Sequence, residues 1–362
     1  MNTDFYPLTI ANVERLTKDA VSIEFLVPDD LKEIFNYHQG QHITVKLDID
    51  GQDIRRSYSI CNGISKQSLK IGIKAIEEGV FSNFANTKLT KGMTLEVMPP
   101  QGHFYSELSK DAAKNYLHIA VGSGITPMLS HIESILLSEP NSRITLLYGN
   151  QRTSLMMFRE ELCFIKNQYL ERFQWHNFFT KEENDASILN GRITPQKLID
   201  LDKAKMLELK SFNDVFVCGP EELTLKIAET FEFWGLDKSN IHYELFFSGD
   251  AVKEAEKNKA ERAKRYGNKT SSVAVKVAGR KVLMGLEMGG ENILDAAIEN
   301  GADLPFSCKA GVCATCKAKV IKGKVEMDLN HSLTEQEVAD GMILTCQAHP
   351  VSDDVEVDFD FS

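Results

Sequence analysis

Residues 305–320 read PFSCKAGVCATCKAKV and place three of the seven cysteines of this 362-residue chain within nine positions. The spacing is Cys308-x4-Cys313-x2-Cys316, with twenty-nine residues between Cys316 and Cys346. The remaining cysteines stand alone, at Cys61, Cys163 and Cys218. In a compartment that keeps thiols reduced, such clustering indicates a metal or cluster site rather than a disulfide framework.

The four clustered cysteines have the spacing typical of a [2Fe–2S] site, in which one loop wraps two irons. Structural zinc normally uses paired short spacings, whereas here a single C-x2-C is followed by one isolated cysteine. His349, three residues beyond that cysteine, is expected to be an ordinary surface histidine. Gly311 permits close approach of backbone N–H groups to the sulfurs. The sequence therefore predicts a cluster whose ligands are Cys308, Cys313, Cys316 and Cys346.

The composition is that of a globular protein, with 43% hydrophobic and 26% charged residues. The length suggests two or three domains. No apolar run approaches the roughly 18 residues of a membrane helix. The N-terminal stretch MNTDFYPLTI lacks the basic and apolar regions of a signal peptide. We therefore expect a cytoplasmic protein without a membrane span.

The net charge of −11 argues against a nucleic-acid partner, because phosphate binding needs a basic surface. The acidic residues are also unevenly distributed. After Lys324 there is no Lys or Arg, while ten Asp and Glu lie between Glu326 and Asp360. A solvated acidic surface explains this pattern by itself. The functional alternative is a docking face for a basic patch on a partner protein.

The sequence pattern changes along the chain and divides it into three parts. Residues 1–108 contain short alternating strands at regular spacing, which predict an antiparallel β-barrel. The predicted strands are 20–27, 41–49, 54–61, 68–76 and 93–98. Residues 109–248 alternate strands with helical segments, which predicts an α/β domain with a parallel sheet.

The C-terminal part is predicted to begin with a linker at 249–271, rich in Lys, Glu and Ala. The Glu261–Arg265 pair would support a solvent-exposed helix there, and disorder is equally compatible. Residues 272–362 are predicted to form a compact unit with a hairpin at 272–288 and a helix near 292–299.

The cysteine region resembles a known family. LPFSCKAGVCATC (304–316), together with LTCQAHP (344–350), is similar to plant-type ferredoxins over about the last ninety residues. The resemblance implies an α+β fold of the β-grasp type for 272–362.

A second resemblance begins at IRRSYSIC (54–61). Arg56-x-Tyr58-Ser59 resembles the flavin-binding motif of the ferredoxin–NADP reductase superfamily. That resemblance implies a cation for the flavin pyrophosphate, an aromatic ring against the isoalloxazine, and a hydroxyl near the flavin N5. Ile60, the next residue, is included in the predicted flavin site.

The segment EEGVFSNF (77–84) supports the same resemblance. In the superfamily a G-x-x-S segment offers backbone N–H groups to the flavin pyrophosphate, as a helix N-terminus can. Its form here favours FAD over FMN. The predicted FAD-binding residues of this segment are Gly79, Val80, Phe81 and Ser82.

The stretch AVGSGITPM (120–128) predicts a strand, a glycine turn and a helix with proline in its first turn. The glycines are expected to let a nicotinamide nucleotide lie close to the backbone. Proline at the place of the third glycine of G-x-G-x-x-G is a feature of the reductase superfamily. The predicted nucleotide-binding residues are Gly122, Ser123, Gly124, Thr126 and Pro127.

Two further stretches match the superfamily near the reacting rings. In VCGPEEL (217–223) the resemblance places Cys218 beside the nicotinamide C4, followed by Gly219 and Pro220. In HYELFF (242–247) it places Glu244 and Phe246 near the flavin. The resemblance thus implies Ser59, Cys218 and Glu244 as catalytic residues.

The choice between NADPH and NADH depends on LLYGNQRTS (146–154). No Asp or Glu follows this strand to bind a ribose 2′-hydroxyl, while Arg152 can meet a 2′-phosphate. The sequence therefore favours NADPH, with NADH as the alternative.

The order of the modules indicates the chemistry. A nicotinamide delivers two electrons as hydride, whereas a [2Fe–2S] cluster accepts one at a time, so FAD must stand between them. The whole chain resembles reductase components of multicomponent bacterial oxygenases. Residues 326–360 are most similar to reductase subunits of phenylacetyl-CoA epoxidase systems, which implies a di-iron oxygenase component as electron acceptor. The linker would let the ferredoxin module move between FAD and this partner.

Other functions remain open from the sequence. The acceptor can be a Rieske oxygenase, a fatty-acid desaturase or a hybrid-cluster protein. The chain can also be a self-contained reductase of small oxidants, or a non-enzymatic redox sensor that uses the cluster as a switch.

Overall fold

The structure is a computed structural model that describes residues 4–66, 68–246 and 249–361, the side chains of 249–256 excepted. Two compact units are present, one formed by residues 1–246 and one by residues 247–362. Unit 1 contains both the predicted flavin and nucleotide domains, and the boundary between them at 108/109 stays a prediction. The predicted boundary at 248/249 involves residues outside the described ranges. No helix in those ranges is both long and apolar enough to cross a membrane.

The first part of unit 1 is a six-stranded antiparallel sheet, as predicted for the flavin domain. Its strands are β1 (Tyr6–Thr17), β2 (Ala20–Leu26), β3 (His42–Ile49), β4 (Gln52–Ser59), β5 (Leu69–Lys74) and β6 (Thr94–Gln101), with helix α1 (Val80–Thr87) between β5 and β6. The strand order is β4-β3-β6-β1-β2-β5. The two outer strands approach each other at a bridge between Ile60 and Ile71, so the sheet curls toward a barrel around an aliphatic core.

The second part of unit 1 is a five-stranded parallel sheet in the order β11-β10-β7-β8-β9. Its elements are β7 (Asn115–Val121), α2 (Ile125–Ser138), β8 (Arg143–Asn150), α3 (Arg159–Gln168), β9 (Phe173–Phe179), α4 (Pro195–Lys203), β10 (Asp214–Gly219), α5 (Glu221–Phe233) and β11 (Ile241–Leu245). The strands read as apolar runs because helices cover a parallel sheet on both faces. The strand order reverses between β7 and β10, where ligands of such sheets bind at the carboxyl ends.

Unit 2 is built on a mixed sheet in the order β13-β12-β18-β14-β16. Its elements are α6 (Gly249–Tyr266), β12 (Thr270–Val277), β13 (Arg280–Glu287), α7 (Ile293–Glu299), β14 (Lys317–Lys322), β15 (Val325–Met327), α8 (Glu335–Ala339), β16 (Met342–Leu344), β17 (Ala348–Pro350) and β18 (Asp354–Asp358). Strands β12 and β18 are parallel and their other neighbours antiparallel, which is the β-grasp arrangement predicted for this region.

The segment predicted as a linker is helical over most of its length. Helix α6 spans Gly249–Tyr266, and β12 already begins at Thr270, inside the predicted linker. Among the described side chains of α6, Arg262 is only 1% exposed and forms an ion pair with Asp328 of unit 2. From Asn258 onward this helix is therefore part of unit 2 rather than a free connection.

Imidazole rings surround Phe216 in the core beneath the parallel sheet. His118 and His242 stack on its ring at centroid distances of 5.2 and 4.3 Å, and His131 lies 4.4 Å away. Within the described part of the chain, neither ring nitrogen of His118 has a hydrogen-bond partner. Burial lowers the pKa of His118 well below its ordinary value, so a neutral ring occupies this site.

We expect the buried histidines of unit 1 to make this unit sensitive to mild acid. Burial lowers the pKa of His131 to about 3 and that of His42 to about 4 from 6.5, so the unfolded chain binds more protons below pH 6.5. Glu244, whose pKa burial raises to about 7, opposes this with one proton. The net effect of these groups and His118 is a loss of roughly 3 kcal/mol of unfolding free energy between pH 6.5 and 5.

Urea unfolding of the holoprotein at the two pH values measures this loss, because Trp175 and Trp234, the only tryptophans, both report on unit 1. His118→Phe should unfold at higher urea at pH 5 and weaken the pH dependence by about one proton. His242 is not mutated. Its Nε2 lies 3.2 Å from Asp214 Oδ1, so it represents a histidine of this core that has a polar partner. Equal pH dependence in the variant and the parent chain would refute this assignment.

Candidate functional site

The carboxyl edge of the parallel sheet collects most of the predicted nucleotide and catalytic residues. Arg152 follows β8, the turn Gly122–Gly124 follows β7, Cys218 lies near the end of β10, and Glu244 near the end of β11. These strands are consecutive neighbours in the order β11-β10-β7-β8. The residues therefore form a row along one edge, which is the geometry that an extended dinucleotide needs.

Ser59 and Glu244 meet where the antiparallel sheet contacts this edge. The Ser59 hydroxyl donates a hydrogen bond of 3.0 Å to Glu244 Oε2. His42, which the sequence analysis did not single out, lies on β3 opposite Ser59, and its Nδ1 is 3.9 Å from Glu244 Oε1. Within the described residues the buried Nε2 of His42 has no hydrogen-bond partner. A lone histidine in an alternating strand carried no signal that it would be placed here.

Burial sets the protonation of this group. It raises the pKa of Glu244 to about 7, while the hydrogen bond from Ser59 lowers it in part. Cys218 pairs in register with Glu244, and burial together with this carboxylate raises the pKa of the Cys218 thiol. The site thus holds a neutral thiol beside a carboxyl group that titrates near neutral pH, as proton-transfer groups do.

The glycines of the β7 turn have different roles from the common one predicted. A Cβ on Gly124 would lie 2.1 Å from the Cys218 carbonyl oxygen, so this glycine lets α2 start against β10. Gly122 has φ of +57° and open space where a Cβ would stand. Gly122 is therefore the position where backbone can face a ligand, and Gly124 is required for packing.

The rest of the turn and of the β10 end follows the predicted local structure. Thr126 and Pro127 are buried in the first turn of α2, and Thr126 Oγ1 donates to the Ser123 carbonyl at 3.0 Å. Gly219 ends β10, and Pro220 directly precedes α5. Thr126 is thus engaged with the turn itself, which stabilises the shape that a nucleotide would meet.

The predicted FAD residues lie on β4 and α1. Arg56 is exposed, whereas Tyr58 is half-buried and packs against Phe81 with ring centroids 5.8 Å apart. Ile60 is fully buried in the core of the antiparallel sheet, and Phe246 packs at the edge of the nucleotide-domain core. Arg56 and Tyr58 are therefore available to a flavin, whereas Ile60 offers its backbone alone.

Helix α1 begins with an open N-terminus. Gly79 occupies the N-cap, and no described side chain caps the first turn, so its N–H groups are available to an anion. Val80 is exposed beside it. Ser82, predicted to take part in binding, accepts a hydrogen bond from the Ile76 N–H and donates to the Gly79 carbonyl, each at 3.3 Å. Ser82 thus holds the loop in shape from the inside.

The end of β8 carries an acidic residue that the linear sequence did not reveal. Glu182, from the loop after β9, accepts hydrogen bonds from the Thr153 N–H at 2.9 Å and the Thr153 hydroxyl at 2.5 Å. These hydrogen bonds and the nearby guanidinium groups of Arg152 and Arg159 lower the pKa of Glu182. The corner that would meet the adenosine ribose therefore holds two cations and one carboxylate.

The four clustered cysteines come together in unit 2 as two pairs. The neighbouring Cys313 raises the pKa of the Cys308 thiol, and the neighbouring Cys316 raises that of the Cys346 thiol. The Cys308 side chain beside it lowers the pKa of Cys313 below its ordinary value, which favours its thiolate. The Ala310 N–H also points to Cys308 Sγ at 3.3 Å. Two dithiol pairs suit two irons with two sulfur ligands each, so the residues fit a [2Fe–2S] cluster.

The neighbourhood of this loop differs from a mononuclear zinc site. In the described ranges, no group of three or more His, Cys, Asp or Glu side chains converges as a single metal ion requires. His349, expected at the surface, is instead buried in β17, with its ring nitrogens facing Asp328 and the Glu291 carbonyl. The expectation of a surface histidine was wrong because tertiary contacts supply polar partners that the linear sequence does not show.

This arrangement of residues indicates where each cofactor would bind. The β4 strand and the α1 N-terminus would hold FAD, which supplies redox chemistry between hydride and single electrons. The carboxyl edge of the parallel sheet would hold the nicotinamide nucleotide. Ser59 and Glu244 hold an exchangeable proton where these two sites meet.

Comparison with known protein families matches each part of the chain. Residues 7–105 match an oxidoreductase FAD-binding domain, residues 118–229 an oxidoreductase NAD-binding domain, and residues 278–351 a 2Fe-2S iron-sulfur cluster binding domain. Among solved structures, phthalate dioxygenase reductase shares this fold, with a TM-score of 0.60, 21% identity and coverage of 98% of both chains.

Two curated relatives extend over nearly the full length. One subunit of the 1,2-phenylacetyl-CoA epoxidase of Escherichia coli K12 is 43% identical over 359 residues, which are 99% of this chain and 98% of the relative. The ferredoxin reductase component of 3-ketosteroid-9-alpha-monooxygenase from Rhodococcus rhodochrous is 29% identical, over 97% of this chain and 96% of the relative. The chain therefore belongs to the family of oxygenase reductase components that join an FAD-binding, an NAD-binding and a C-terminal [2Fe–2S] domain in one polypeptide.

Proposed function

We propose that this chain passes electrons from NADPH through FAD and a [2Fe–2S] cluster to the di-iron oxygenase component of a phenylacetyl-CoA epoxidase. The observation that carries the proposal is the 43% identity, over nearly the full length, to one of the subunits of that enzyme. We also place the protein in the cytoplasm, where thiols stay reduced, because all seven cysteines are free of disulfides.

The site supports the proposed direction of electron flow. Ser59, Cys218 and Glu244 form the group at which hydride would arrive from the nicotinamide. Hydride brings one proton together with two electrons, and this proton must leave when the electrons pass one at a time to the cluster. Glu244, which lies beside Ser59 and titrates near neutral pH, can accept it. Cys308, Cys313, Cys316 and Cys346 supply the one-electron site.

A reconstituted assay tests the proposal. The holoprotein is mixed with the purified oxygenase component, phenylacetyl-CoA and NADPH, and NADPH oxidation is compared with epoxide formation. We expect the two to be coupled, and the coupling to weaken as ionic strength rises. In a parallel anaerobic titration, NADPH should bleach the FAD absorbance and produce the EPR signal of a reduced [2Fe–2S] cluster. Reduction of both carriers without transfer to this oxygenase would refute the proposed partner.

A second acceptor has some support. The 29% identity to the ketosteroid monooxygenase reductase component favours a ketosteroid oxygenase as the alternative partner. The same assay with that oxygenase in place of the epoxidase component distinguishes them by rate. The alternative of a non-enzymatic redox sensor has no comparable observation.

The proposed acidic docking face can be assigned to a smaller part of unit 2. Ion pairs within unit 2 engage seven of the ten carboxylates that follow Lys324. The other three, Glu335, Asp340 and Asp353, are exposed, and Glu335 and Asp340 lie at either end of α8. Val338 on the same helix is 39% exposed. We therefore place the partner's basic patch against α8, where an apolar side chain lies between two carboxylates.

The nucleotide corner supports NADPH over NADH. A carboxylate such as Glu182 favours a ribose 2′-hydroxyl, but the guanidinium groups of Arg152 and Arg159 lie near this carboxylate. A 2′-phosphate would gain a charge-assisted hydrogen bond from a guanidinium.

Arg152→Ala is expected to lower kcat/KM for NADPH about 10- to 100-fold and to change that for NADH much less, since one charge-assisted hydrogen bond contributes roughly 1.5–3 kcal/mol. Steady-state ferricyanide reduction with each nucleotide measures both values. Arg143→Ala, an exposed arginine at the opposite end of β8, is the matched control. An equal loss for the two nucleotides would show that Arg152 does not read the 2′-phosphate.

A further inference from the structure

We propose that Arg262 of helix α6 is a positioning residue for the [2Fe–2S] site: through Asp328 and His349 it fixes the strand by which the chain leaves Cys346. The residue lies in the segment whose composition suggested a solvent-exposed linker. Its role follows from a chain of contacts that runs from α6 to the cysteine loop.

The first contact is a buried ion pair. The Arg262 side chain is almost completely enclosed, and it is the largest fully buried side chain in the described residues. Its Nη1 binds Asp328 Oδ1, and its Nη2 donates to Asp328 Oδ2 at 3.3 Å. A buried guanidinium is tolerated only when a carboxylate meets it in this two-point geometry. The pairing therefore fixes the orientation of both side chains.

The second contact carries the network to β17. His349 Nε2 lies 3.1 Å from Asp328 Oδ2, and His349 Nδ1 lies 3.0 Å from the Glu291 carbonyl oxygen. Burial alone would raise the pKa of Asp328, but the bonds from His349 and Arg262 lower it, so the carboxylate stays charged between two donors. One carboxylate thus joins α6 to a side chain three residues beyond Cys346.

The third contact reaches the cysteine loop. The Asp328 N–H donates to the Gln347 carbonyl at 2.9 Å. Gln347, next to Cys346, donates from Nε2 to the Lys309 carbonyl at 3.0 Å and lies 3.8 Å from Cys346 Sγ. Lys309 in turn follows Cys308 directly. Groups that orient ligands in this way tune the properties of a metal site.

Two other side chains of α6 make contacts near β15, one buried and one at the surface. Asn258 Nδ2 donates to the Asp328 carbonyl at 2.8 Å. Arg265 forms an ion pair of 2.7 Å with Glu326, the residue that pairs with His349 across β15 and β17. The Arg265 side chain is 57% exposed, unlike that of Arg262. Arg265 is thus a matched cation on the same helix that lacks the buried network.

The test uses the full-length holoprotein and two readouts of the cluster. Redox titration followed by EPR gives its midpoint potential, and the spectrum of the reduced cluster gives its line shape. We expect Arg262→Met to move the potential to more negative values, because the Asp328 carboxylate then lacks its cation, and to alter the line shape. Arg262→Lys keeps the charge without the two-point geometry and should recover part of the shift. Arg265→Met should leave both readouts as in the parent chain.

If Arg262 only stabilises the fold of unit 2, the results should be different. Arg262→Met with lowered thermal stability but an unchanged potential and line shape would overturn the proposal. If that variant does not fold, Arg262→Met combined with Asp328→Leu removes both buried charges, a replacement that buried ion pairs tolerate. The proposal expects this double variant to retain iron and still differ in EPR line shape, since His349 has lost its partner. A parental potential and line shape in the double variant would also overturn it.

Discussion

Cys346→Ser is expected to abolish electron delivery to a protein acceptor while FAD reduction continues. Serine replaces one of the four thiolates by a hydroxyl, which is a much weaker ligand for iron at neutral pH, so the cluster should be lost. The flavin and nucleotide residues lie in unit 1, and the cysteines lie in unit 2. We therefore expect reduction of the oxygenase component to fall at least 100-fold, with NADPH-dependent ferricyanide reduction retained.

Iron analysis and EPR of the reduced protein measure the loss directly. Cys163→Ser is the matched control, because Cys163 is an exposed cysteine apart from the cluster loop. The control should keep its iron and its rate. Two irons per chain and a normal EPR signal in Cys346→Ser would contradict the assignment of Cys346 as a ligand.

Glu244→Gln is expected to slow electron transfer from reduced FAD to the [2Fe–2S] cluster about 100-fold and to remove its pH dependence near neutrality, because this is the step that releases a proton. The amide preserves the shape of the side chain and can still accept the bond from Ser59, but it cannot ionise. Burial raises the pKa of Glu244 to about 7, so in the parent chain its protonated fraction falls as pH rises from 6 to 8. A positioned acid–base group typically contributes 100- to 10,000-fold to a rate.

Anaerobic stopped-flow mixing with NADPH between pH 6 and 8 makes this measurement, by following reduction of the [2Fe–2S] cluster after the FAD band has bleached. Glu229→Gln, an exposed carboxylate on α5, serves as the control and should follow the parent profile. An inflection near pH 7 that persists in Glu244→Gln would contradict the assignment of this titration to Glu244.

Features fixed by local pattern were predictable from the sequence. Alternating apolar residues gave the positions of β2 to β6, and cysteine spacing predicted a cluster that the family comparison supports. Strand β1 was not singled out, because bulges between Ile10 and Asn12 and between Arg15 and Thr17 break its alternation. Helix α4 was missed although Thr194 caps it and Pro195 begins it, which is a recognisable helix start.

Features that depend on a distant partner were not predictable. Glu182 reaches the end of β8 only because β9 runs parallel to it and releases its loop at the same edge. Arg262 and His349 look solvent-exposed in a list of residues, and each is buried because Asp328 supplies a charge to it. The composition of a segment indicates only its average exposure to solvent, whereas the burial of each of these side chains depends on one tertiary contact.

The attachment of α6 to unit 2 also bears on how such reductases exchange modules during evolution. A recombination event that transferred only residues 272–362 of this chain to another reductase would leave α6 behind, and the buried Asp328 carboxylate would then lack its cation. The smallest segment that can be exchanged as one unit must instead begin before Asn258. Gene fusions that respect this earlier breakpoint would keep a working cluster, and those that cut at the later one would not.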